Sequence, residues 1–439
     1  MMYAPASQRF GFIGLETGVR PRHIWVLLFA AYVTIGLINF EAFATPFVLS
    51  TAVGIPLGEQ GAVVGRLNVY TEIILLMIFT PLGVLSDRIG RRSVYAVGFL
   101  CLALSYALFP YASSEAELAL IRVIYAIGIG GVAGMITALL GDYAIASDRG
   151  KLTAMVGVLN GLGVVSGAIF LAPLPRVFSD AGHSQFESGQ LTLWIVAGLC
   201  VMSSLIVAVG LRKGTPIAGE NRPAVGELFR SGFDAAWKNP RIAVAYASAF
   251  VSRGDMVMVS TFLVLWGKVT AVNNGMDTAA AIDAARVPFI ISQSAALMWA
   301  IVAMFLLDRM QRVTGLVICM AMAAVGYLFL VFVDDPLDPA NIPFFILLGI
   351  GQISAFLGSM TLIGKEAPVA ERGSVMGVYN VAGALGILIT SGLGGWMFDS
   401  ISPRAPFILL GLMNLAVMIA AIFVRIYAPV TRPPPAVDR

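Results

Sequence analysis

Twelve apolar segments, each about long enough to cross a bilayer, occupy most of this 439-residue chain. A membrane-spanning helix needs about 20 mostly apolar residues. We place such helices at 24–48, 62–84, 93–112, 117–140, 151–174, 190–211, 241–265, 286–307, 314–333, 342–364, 374–398 and 405–427. Because a backbone in lipid has to satisfy its own polar groups, the pattern predicts an all-α integral membrane protein with twelve transmembrane helices.

The composition excludes most soluble proteins. Charged residues make up 12% of the chain and hydrophobic residues 58%, whereas soluble domains carry about 25% charged residues. A soluble protein of this composition would expose large apolar patches and aggregate. The three cysteines, Cys101, Cys200 and Cys319, lie in apolar runs, which is typical of small core residues and not of disulfides or metal ligands.

A charged turn between the second and third spans is repeated more weakly in the second half of the chain. The first copy follows the pattern Gly-x-x-x-Asp-Arg-x-Gly-Arg-Arg and consists of Gly83, Asp87, Arg88, Gly90, Arg91 and Arg92. The second copy lies 221 positions later, counted from Asp87, and keeps Asp308, Arg309 and Arg312. The spacing suggests a duplicated chain.

A second repeat agrees with the first. The sequence Asp148-Arg149-Gly150 follows the fourth predicted span, and Glu371-Arg372-Gly373 follows the tenth, 223 positions later. The two spacings differ by two residues, which predicts two halves of six spans each.

Basic residues are concentrated on one side of the predicted membrane. With a cytoplasmic N-terminus, the cytoplasmic loops and tails hold 21 of the 28 Lys and Arg residues, and the positive-inside rule favours this orientation. The outer loops then hold Arg66, Arg176, Lys268, Arg286 and Arg404. Both termini are expected in the cytoplasm.

The domain boundaries follow from the spans. We predict a six-helix bundle at 1–211, a cytoplasmic linker at 212–240 and a second bundle with a tail at 241–439. The linker is expected to contain a short surface helix near Val225–Trp237. An outer segment has an Ala-rich run from Thr278 to Ala285, which predicts a helical cap on the outer face.

The charged turn and the repeats resemble the major facilitator superfamily of secondary transporters over nearly the whole chain. In that family the loop between helices two and three carries the pattern found here from Gly83 to Arg92. The resemblance implies two six-helix bundles, a central cavity and alternating access by rocking of the halves. Such folds bind substrate near the bilayer midplane, between the repeats.

A second family pattern, Arg-x-x-x-Gly-x-Gly-x-Gly, is matched in part by the fourth span. It runs from Arg122 to Gly130, with Ala126 at the first glycine position, and in the family this arginine is often linked to proton coupling. The fifth span departs from the antiporter signature Gly-x-x-x-Gly-Pro-x-x-Gly-Gly, which weakens a drug/proton antiporter interpretation. Glu41 and Arg122 also resemble the spinster-like and organic-anion branches.

The charged turn predicts a gate. A carboxylate such as Asp87 at the inner end of a span can cap a neighbouring helix or pair with an arginine. Such a contact would hold the halves together on the cytoplasmic side when the outside is open. The alternative is that the arginines only set the topology and touch anionic lipid.

Placing an ionisable residue inside a membrane span costs free energy, so such residues mark functional sites. Glu41 on the first helix and Arg122 on the fourth are expected to be partners in proton coupling, because an arginine keeps a carboxylate ionised until the two separate. Asp255 is the second carboxylate predicted to couple protons. Glu72 is expected to have either a structural or a functional role. The alternative for Glu41 and Arg122 is a static structural ion pair.

Arg253, near the middle of the seventh span, is the better candidate to bind an anionic group of the substrate. It lies two positions from Asp255, so the two point to different sectors of the helix. Aromatic and polar residues are expected to complete the substrate site, and these are Tyr32, Phe40, Asn160, Trp299, Tyr379 and Asn380, with Asn39, Tyr70, Gln293 and Gln352 as further candidates.

The leading hypothesis is a proton-coupled secondary active transporter for a small amphipathic or anionic organic solute. The alternatives are a multidrug or lipophilic-cation efflux antiporter and, in another class, a membrane sensor or assembly factor that transports nothing. The sequence contains no recognisable nucleotide loop, nucleophile elbow or metal cluster, so we expect no enzyme activity, cofactor or metal. The expected partners are substrate, protons and the lipid bilayer, without nucleic acid, for a monomer in a bacterial inner membrane.

Overall fold

The computed structural model describes residues 8–214, 225–368 and 371–428. The first half of the chain contains the helices α1 Pro21–Asn39, α2 Glu41–Val48, α3 Gln60–Ile89, α4 Arg91–Leu108, α5 Glu115–Tyr143, α6 Arg149–Phe170, α7 Leu174–Asp180 and α8 Gln185–Gly210. The second half contains α9 Val225–Lys238, α10 Pro240–Asn273, α11 Thr278–Arg309, α12 Arg312–Leu328, α13 Ile342–Glu366, α14 Arg372–Ser400 and α15 Ala405–Tyr427.

Twelve helical stretches of the described chain are long and apolar enough to cross a membrane. The first combines α1 and α2, the fifth combines α6 and α7, and the others are single helices, with α9 lying between the sixth and seventh. The predicted all-α fold with twelve transmembrane helices is therefore confirmed. We call α1–α8 the N half and α10–α15 the C half.

The two halves repeat the same helix pairings. In the N half α1 packs on α6, α4 packs on α5 and α8, and α3 packs on α5. In the C half the equivalent helices make the equivalent contacts: α10 packs on α14, α12 packs on α13 and α15, and α11 packs on α13. The result is two six-helix bundles of like architecture, as the repeats in the sequence predict.

The first span is broken in its middle. A turn at Phe40 separates α1 from α2, and Pro46 within α2 cannot donate a backbone hydrogen bond. The Leu37 and Ile38 carbonyls at the break accept hydrogen bonds from the hydroxyls of Tyr106 and Tyr125. Neighbouring helices thus satisfy the backbone groups that the break releases, as lipid requires.

Several helices extend beyond the predicted spans. The second span reaches Ile89, so Gly83, Asp87 and Arg88 lie on α3, and the turn before α4 is Gly90 alone, with φ +95°. This φ favours glycine.

The predicted outer segment that includes Thr278 to Ala285 is mostly helical and continuous with its flanking spans. The run beginning at Thr278 is the first turns of α11 and not a separate cap. Four basic residues that the sequence places in outer loops lie instead on helices: Arg66 on α3, Arg176 on α7, Lys268 on α10 and Arg286 on α11.

A short hairpin precedes α1. Its strands, β1 Arg9–Phe10 and β2 Ile13–Gly14, pair antiparallel. The Gly14 N–H donates to Asp148 Oδ2 at 2.8 Å, which fastens the hairpin to the start of α6. The Lys151 ammonium and this N–H hold the pKa of Asp148 below its usual range.

The halves meet along α3 and α14, and along α6 and α11. Eight of the nine buried residues of α3 lie between Gln60 and Thr71, and only Ser86 is buried beyond them. We call the end of the bundle where α3 begins the Asp399 end, and the opposite end, where α3 stops, the Asp87 end. The contact between α3 and the C half is therefore confined to the Asp399 end and the middle.

Glycines bring α3 and α14 into backbone contact. A Cβ on Gly395 would lie 2.4 Å from the Gly61 carbonyl oxygen, and a Cβ on Gly65 would lie 2.5 Å from the Ser391 carbonyl oxygen. Since both obstacles are backbone atoms, no rotamer change can make room. A side chain at either position has to move one half away from the other.

We expect Gly395→Val to separate the halves at the Asp399 end. Forcing extra atoms into a packed contact costs about 1–3 kcal/mol, so a cysteine at Asn68, buried opposite Thr261 of α10, should be alkylated about tenfold faster. The measurement is maleimide labelling in a background without other cysteines. Gly198→Val on α8, where a Cβ meets no atom within 4 Å, is the control. Unchanged labelling in Gly395→Val would contradict the expectation.

Candidate functional site

Lys268 of α10 reaches from the C half into the N half at the Asp399 end. The side chain is fully buried. Its Nζ donates to the Pro46 carbonyl at 2.8 Å, to Gln60 Oε1 at 2.6 Å and to Ser50 Oγ. All three acceptors are neutral and belong to the N half. Each of the three N–H groups of the ammonium therefore donates a hydrogen bond from the C half to the N half.

The chain around Pro46 is shaped for this contact. After α2 it forms a π-helical turn, Leu49–Val53, which ends at Gly54 with φ +76°. A π-helical turn interrupts the regular ladder of α-helical hydrogen bonds. The Gln60 amide nitrogen donates to the Ile55 carbonyl at 2.8 Å and to Ser50 Oγ at 3.0 Å, which turns Gln60 Oε1 toward the lysine.

Asp399 makes the second contact between the halves at this end. It lies near the end of α14, and its carboxylate accepts from the Gly61 N–H at 2.9 Å and from the Ala62 N–H at 2.6 Å. These are free N–H groups of the first turn of α3. A carboxylate at a helix N-terminus is also stabilised by the helix dipole, so Asp399 caps α3 across the interface.

More exposed contacts surround these two. Asp283 of α11 pairs with Arg176 of α7 at 2.9 Å and with Arg286 of its own helix at 2.6 Å. Gln185 Oε1 accepts from the Ala279 N–H at 2.9 Å. Since exposed ion pairs contribute little, Lys268 and Asp399 carry most of the polar contribution at this end.

The predicted partners Glu41 and Arg122 are in contact. Arg122 Nη2 donates to Glu41 Oε1 and, at 2.9 Å, to Thr45 Oγ1, while Thr45 donates to the same carboxylate. Arg122 is 1% exposed and Glu41 9%. The break between α1 and α2 places Glu41 in the first turn of α2, with Thr45 one turn further along the same face.

Aromatic rings enclose this ion pair within the N half. The Arg122 guanidinium carbon lies 5.4 Å from the Tyr125 ring centroid and 5.9 Å from that of Phe109. The Tyr106 ring packs on Tyr125 at 6.0 Å. Arg122 Nε has no hydrogen-bond partner in the described chain. The pair is buried in the bundle and not exposed along the interface between the halves.

Arg253 lies on the face of α10 that is turned toward α3 and α14. Its Nη2 donates weakly to Asn380 Oδ1 at 3.4 Å, and its guanidinium carbon lies 5.7 Å from the Phe356 ring centroid. Its Nε is buried without a hydrogen-bond partner in the described chain. Arg253 is thus a cation with binding capacity to spare near the middle of the protein.

Glu72 of α3 lies across the interface from this arginine. Asn68, one turn earlier, contacts Thr261 of α10 at 3.5 Å, and Arg253 lies two turns below Thr261 on the same face of α10. Glu72 and Arg253 are within reach of each other's electric field but form no ion pair within 4 Å among the described residues. The two halves therefore place a carboxyl group and a guanidinium opposite each other, just beyond the buried part of α3 that ends at Thr71.

Asp255 and Tyr379 lie inside the C half instead. The Asp255 carboxylate is fully buried and accepts from Asn414 Nδ2 of α15 at 3.0 and 3.3 Å. The Tyr379 hydroxyl bonds Ser359 Oγ at 2.8 Å and is fully buried as well. Their positions favour structural roles over the predicted coupling and substrate-binding roles.

The remaining predicted binding residues are dispersed. Phe40 is buried in the N half with its ring 6.1 Å from that of Tyr106, and Tyr32 is half-buried on α1. Asn160 of α6 has a buried Oδ1 without a partner in the described chain. Trp299 Nε1 donates to Ser354 Oγ of α13 at 2.8 Å.

The other polar candidates pair mostly within one half. Asn39 donates to the Ile35 carbonyl of its own helix. Gln293 donates to Gln352 Oε1 at 3.2 Å, and both lie in the C half. Tyr70 is 39% exposed on α3. Among the predicted binding residues in the described chain, Asn160 and Arg253 have buried polar atoms without a hydrogen-bond partner, and the bond between Arg253 and Asn380 is long.

At the Asp87 end, the predicted gate residues surround the start of α4. Asp87 and Arg91 form an ion pair at 2.8 Å, and Arg91 also pairs with Asp142 of α5 at 3.1 Å. Arg88 is exposed, and Arg92 is half-buried. These contacts connect α3, α4 and α5 of the N half.

The weaker copy of the turn makes equivalent contacts in the C half. Arg312 pairs with Glu366 at 3.1 Å, and Lys365 pairs with Asp308 at 3.7 Å. Arg241, the second residue of α10, also reaches Glu366, at 3.5 Å. Arg309 is exposed. The structure thus places both copies at the same end of the two bundles.

Sequence reasoning missed Lys268 and Asp399. Lys268 was assigned to a loop because the predicted seventh span stops at 265, whereas α10 continues to Asn273. Asp399 lies one residue beyond the predicted end of the eleventh span at 398, and no role follows for it from the sequence. A lysine within a continuous helical pattern, with apolar residues on both sides, was the signal available for the first.

The Major Facilitator Superfamily profile matches residues 24–391 and 284–439. Magnetosome protein MamH of Paramagnetospirillum magneticum is 29% identical over 382 residues, which cover 85% of each chain. The inner membrane transport protein YajR of Escherichia coli is 25% identical over 362 residues, or 81% of this chain and 72% of YajR.

Solved structures share the fold at low identity. The nucleoside transporter NupG, as its D323A mutant, superposes with a TM-score of 0.72 at 15% identity, over 91% of this chain and 99% of NupG. A bacterial homologue of the human lysosomal transporter Spinster, in an inward-facing and unoccupied conformation, gives a TM-score of 0.61 at 15% identity, over 92% and 96% of the two chains. With its twelve spans in two like bundles, this chain belongs to the Major Facilitator Superfamily of membrane transporters.

Proposed function

We propose that this protein is a secondary active transporter that moves a small amphipathic or anionic organic solute by alternating access, coupled to protons. The observation that carries the proposal is the one-sided closure of the interface. Lys268 and Asp399 join the halves at the Asp399 end, while eight of the nine buried residues of α3 lie between Gln60 and Thr71, in the part of the helix nearest that end. This arrangement is what one end state of a rocking cycle requires.

The opposite end state follows from the same contacts. Rocking that opens the Asp399 end has to break the bonds of Lys268 and Asp399 to the N half. The charged turn with Asp87 and Arg91 lies at the end that then closes, where it acts as the gate. A transporter needs the two states to be close in free energy, and bonds broken at one end are offset by bonds formed at the other.

Arg253 is our proposed binding site for an anionic group of the substrate. It lies in the middle of the interface, its Nε has no hydrogen-bond partner in the described chain, and its bond to Asn380 is long, at 3.4 Å. A guanidinium recognises carboxylate and phosphate groups by two parallel bonds. Asn380 and the Phe356 ring beside it would contact the rest of the solute.

Proton coupling is assigned to Glu41 and its partner Arg122. Protonation of Glu41 would free Arg122 from its charge partner and change the packing of α2 against α5. The observation on the side of the alternative, a static ion pair, is that aromatic rings enclose the two residues.

Glu72 faces Arg253 without forming an ion pair with it. If the protein were an efflux antiporter, Glu72 is the carboxylate that would bind a lipophilic cation.

The proposed location is a bacterial inner membrane, with both termini in the cytoplasm. The concentration of basic residues at the Asp87 end supports this orientation, and YajR is named as an inner membrane transport protein. The name of MamH adds the magnetosome as an alternative location. Reporter fusions to the two termini test the orientation.

We expect Lys268→Met to shift the protein toward the state that is open at the Asp399 end. The substitution removes three hydrogen bonds between the halves and leaves their acceptors free to bind water when the end opens. A cysteine at Asn68 should be labelled about tenfold faster from the outer side of proteoliposomes, for a loss of about 1.4 kcal/mol. Lys365→Met at the opposite end is the matched control, because Lys365 is partly exposed. Labelling that stays unchanged would contradict the role of Lys268.

We expect Glu41→Gln to uncouple transport from the proton gradient. A neutral amide cannot release a proton, so net uptake driven by a pH gradient in proteoliposomes should fall about tenfold or more, while solute exchange at equal pH continues. Glu115→Gln, at an exposed ion pair with Arg66, is the control. Uptake that still follows the pH gradient in Glu41→Gln would support the static pair.

We expect Arg253→Gln to weaken the binding of anionic solutes. Loss of a charge-assisted bond costs about 1.5–3 kcal/mol, so the concentration giving half-maximal uptake should rise at least about tenfold. The measurement is proteoliposome uptake of a panel of carboxylates, phosphate esters and organic cations. Arg404→Gln, in an ion pair with Asp334 at the Asp399 end, is the control. Loss of cation uptake alone would favour the efflux antiporter.

A further inference from the structure

Two charged side chains near the middle of their spans, one from each half, have polar groups to spare. Glu72 lies near the middle of the span Leu57–Ile89, and Arg253 lies near the middle of Pro240–Asn273. The half-buried Glu72 carboxylate makes no hydrogen bond or ion pair with any residue that the structure describes. Since a charged group at membrane depth costs free energy unless it has a partner, both positions are suited to a polar ligand.

Arg253 is held in place by its own half. A Cβ on Gly383 of α14 would lie 2.6 Å from Arg253 Cγ, so the missing side chain at Gly383 makes room for the stem of the arginine. The guanidinium lies over the Phe356 ring, and Nη2 donates to Asn380. These contacts fix the guanidinium but use one of its five N–H groups within the described chain, which leaves the others for a ligand.

Glu72 and Arg253 are close to each other but do not touch. From the contact between Asn68 and Thr261, Glu72 lies four residues along α3 and Arg253 eight residues along α10, both toward the Asp87 end. At 1.5 Å per residue these distances are about 6 and 12 Å. The two side chains interact electrostatically, yet they form no ion pair within 4.0 Å among the described residues. A small molecule with one charge of each sign can fill such a gap.

We infer that the transported solute is a short zwitterion, such as an amino acid, whose ammonium binds Glu72 and whose carboxylate binds Arg253. This adds the ammonium and its partner to the anionic group already assigned to Arg253, and it rests on the proposed transport function. In an amino acid the nitrogen and the carboxylate carbon are about 2.5 Å apart. With a charge-assisted hydrogen bond at each end, the molecule spans at most about 9 Å between the two side chains.

A solute with a single charge is bound less well by this pair. An anion without an ammonium leaves Glu72 without a partner and lies beside a like charge. An amine without a carboxylate does the same at Arg253. Since a charge left unpaired away from water is costly, the two residues together select a zwitterion against both of its singly charged analogues.

The two charges of the solute are bound by different halves. Glu72 belongs to the N half, and Arg253 belongs to the C half. A bound zwitterion therefore links the halves on the Asp87 side of Lys268 and Asp399. Such a ligand favours the conformations in which Glu72 and Arg253 are the right distance apart, so binding changes the balance between the end states.

The first test compares solutes with one carbon skeleton in proteoliposomes of the full-length protein. Leucine is the zwitterion, 4-methylpentanoate lacks the ammonium, and isopentylamine lacks the carboxylate. Uptake of leucine should be half-maximal at a concentration at least about tenfold lower than that of either analogue. The same series on the alanine and phenylalanine skeletons covers small and aromatic side chains.

The outcomes separate the zwitterion from the transport function. Uptake of the carboxylate analogues at concentrations equal to or lower than those of the amino acids would overturn the zwitterion and keep transport of an anion. Better uptake of the amines would overturn it in favour of a cation. Uptake of no member of the three series would count against both the zwitterion and the proposed function.

The second test assigns each charge to its residue. In Glu72→Gln the advantage of leucine over 4-methylpentanoate should fall at least about tenfold, while uptake of 4-methylpentanoate persists, which shows that the variant is folded. In Arg253→Gln the advantage of leucine over isopentylamine should fall to a similar extent. Glu115→Gln, at an exposed ion pair with Arg66, is the control and should keep both preferences. An unchanged preference in Glu72→Gln would overturn the binding of the ammonium by Glu72.

Discussion

Lipid offers no hydrogen bonds, and this constraint underlies most of the structure. Each polar group within the bilayer has to find a partner in the protein. The break in the first span persists because Tyr106 and Tyr125 bond the carbonyls that it frees. Arg122 is tolerated because Glu41, Thr45 and two aromatic rings surround it.

The same constraint explains how the two halves adhere. Packing between apolar helices is weak in lipid, because lipid chains are as apolar as the helices themselves. Close backbone contact through glycines and a few polar bonds therefore dominate the interface. Lys268 provides one such bond set and Asp399 the other, and both lie at the same end of α3.

Much of the fold could be predicted from the sequence, because the length of apolar runs and the repeat of charged turns are strong, local signals. The twelve spans and the duplication follow from them, whereas the contact between Glu41 and Arg122 was expected from two opposite charges inside the first and fourth spans. The site was harder to predict. Asp255 and Arg253 are two residues apart, and only the packing of α12 and α15 shows that Asp255 is turned into the C half. Lys268 was missed because the predicted seventh span ends with its apolar run at 265, whereas the helix α10 continues to Asn273.

The capping of α3 by Asp399 has a consequence for how this interface evolves. The contact joins a side chain to two backbone N–H groups, so only one of its partners is encoded by a particular amino acid. Position 62 can change to any residue that keeps its N–H, whereas position 61 has to keep its N–H and is also restricted by space. Co-variation between aligned sequences would therefore reveal no pair here, and the contact can be recognised only in three dimensions.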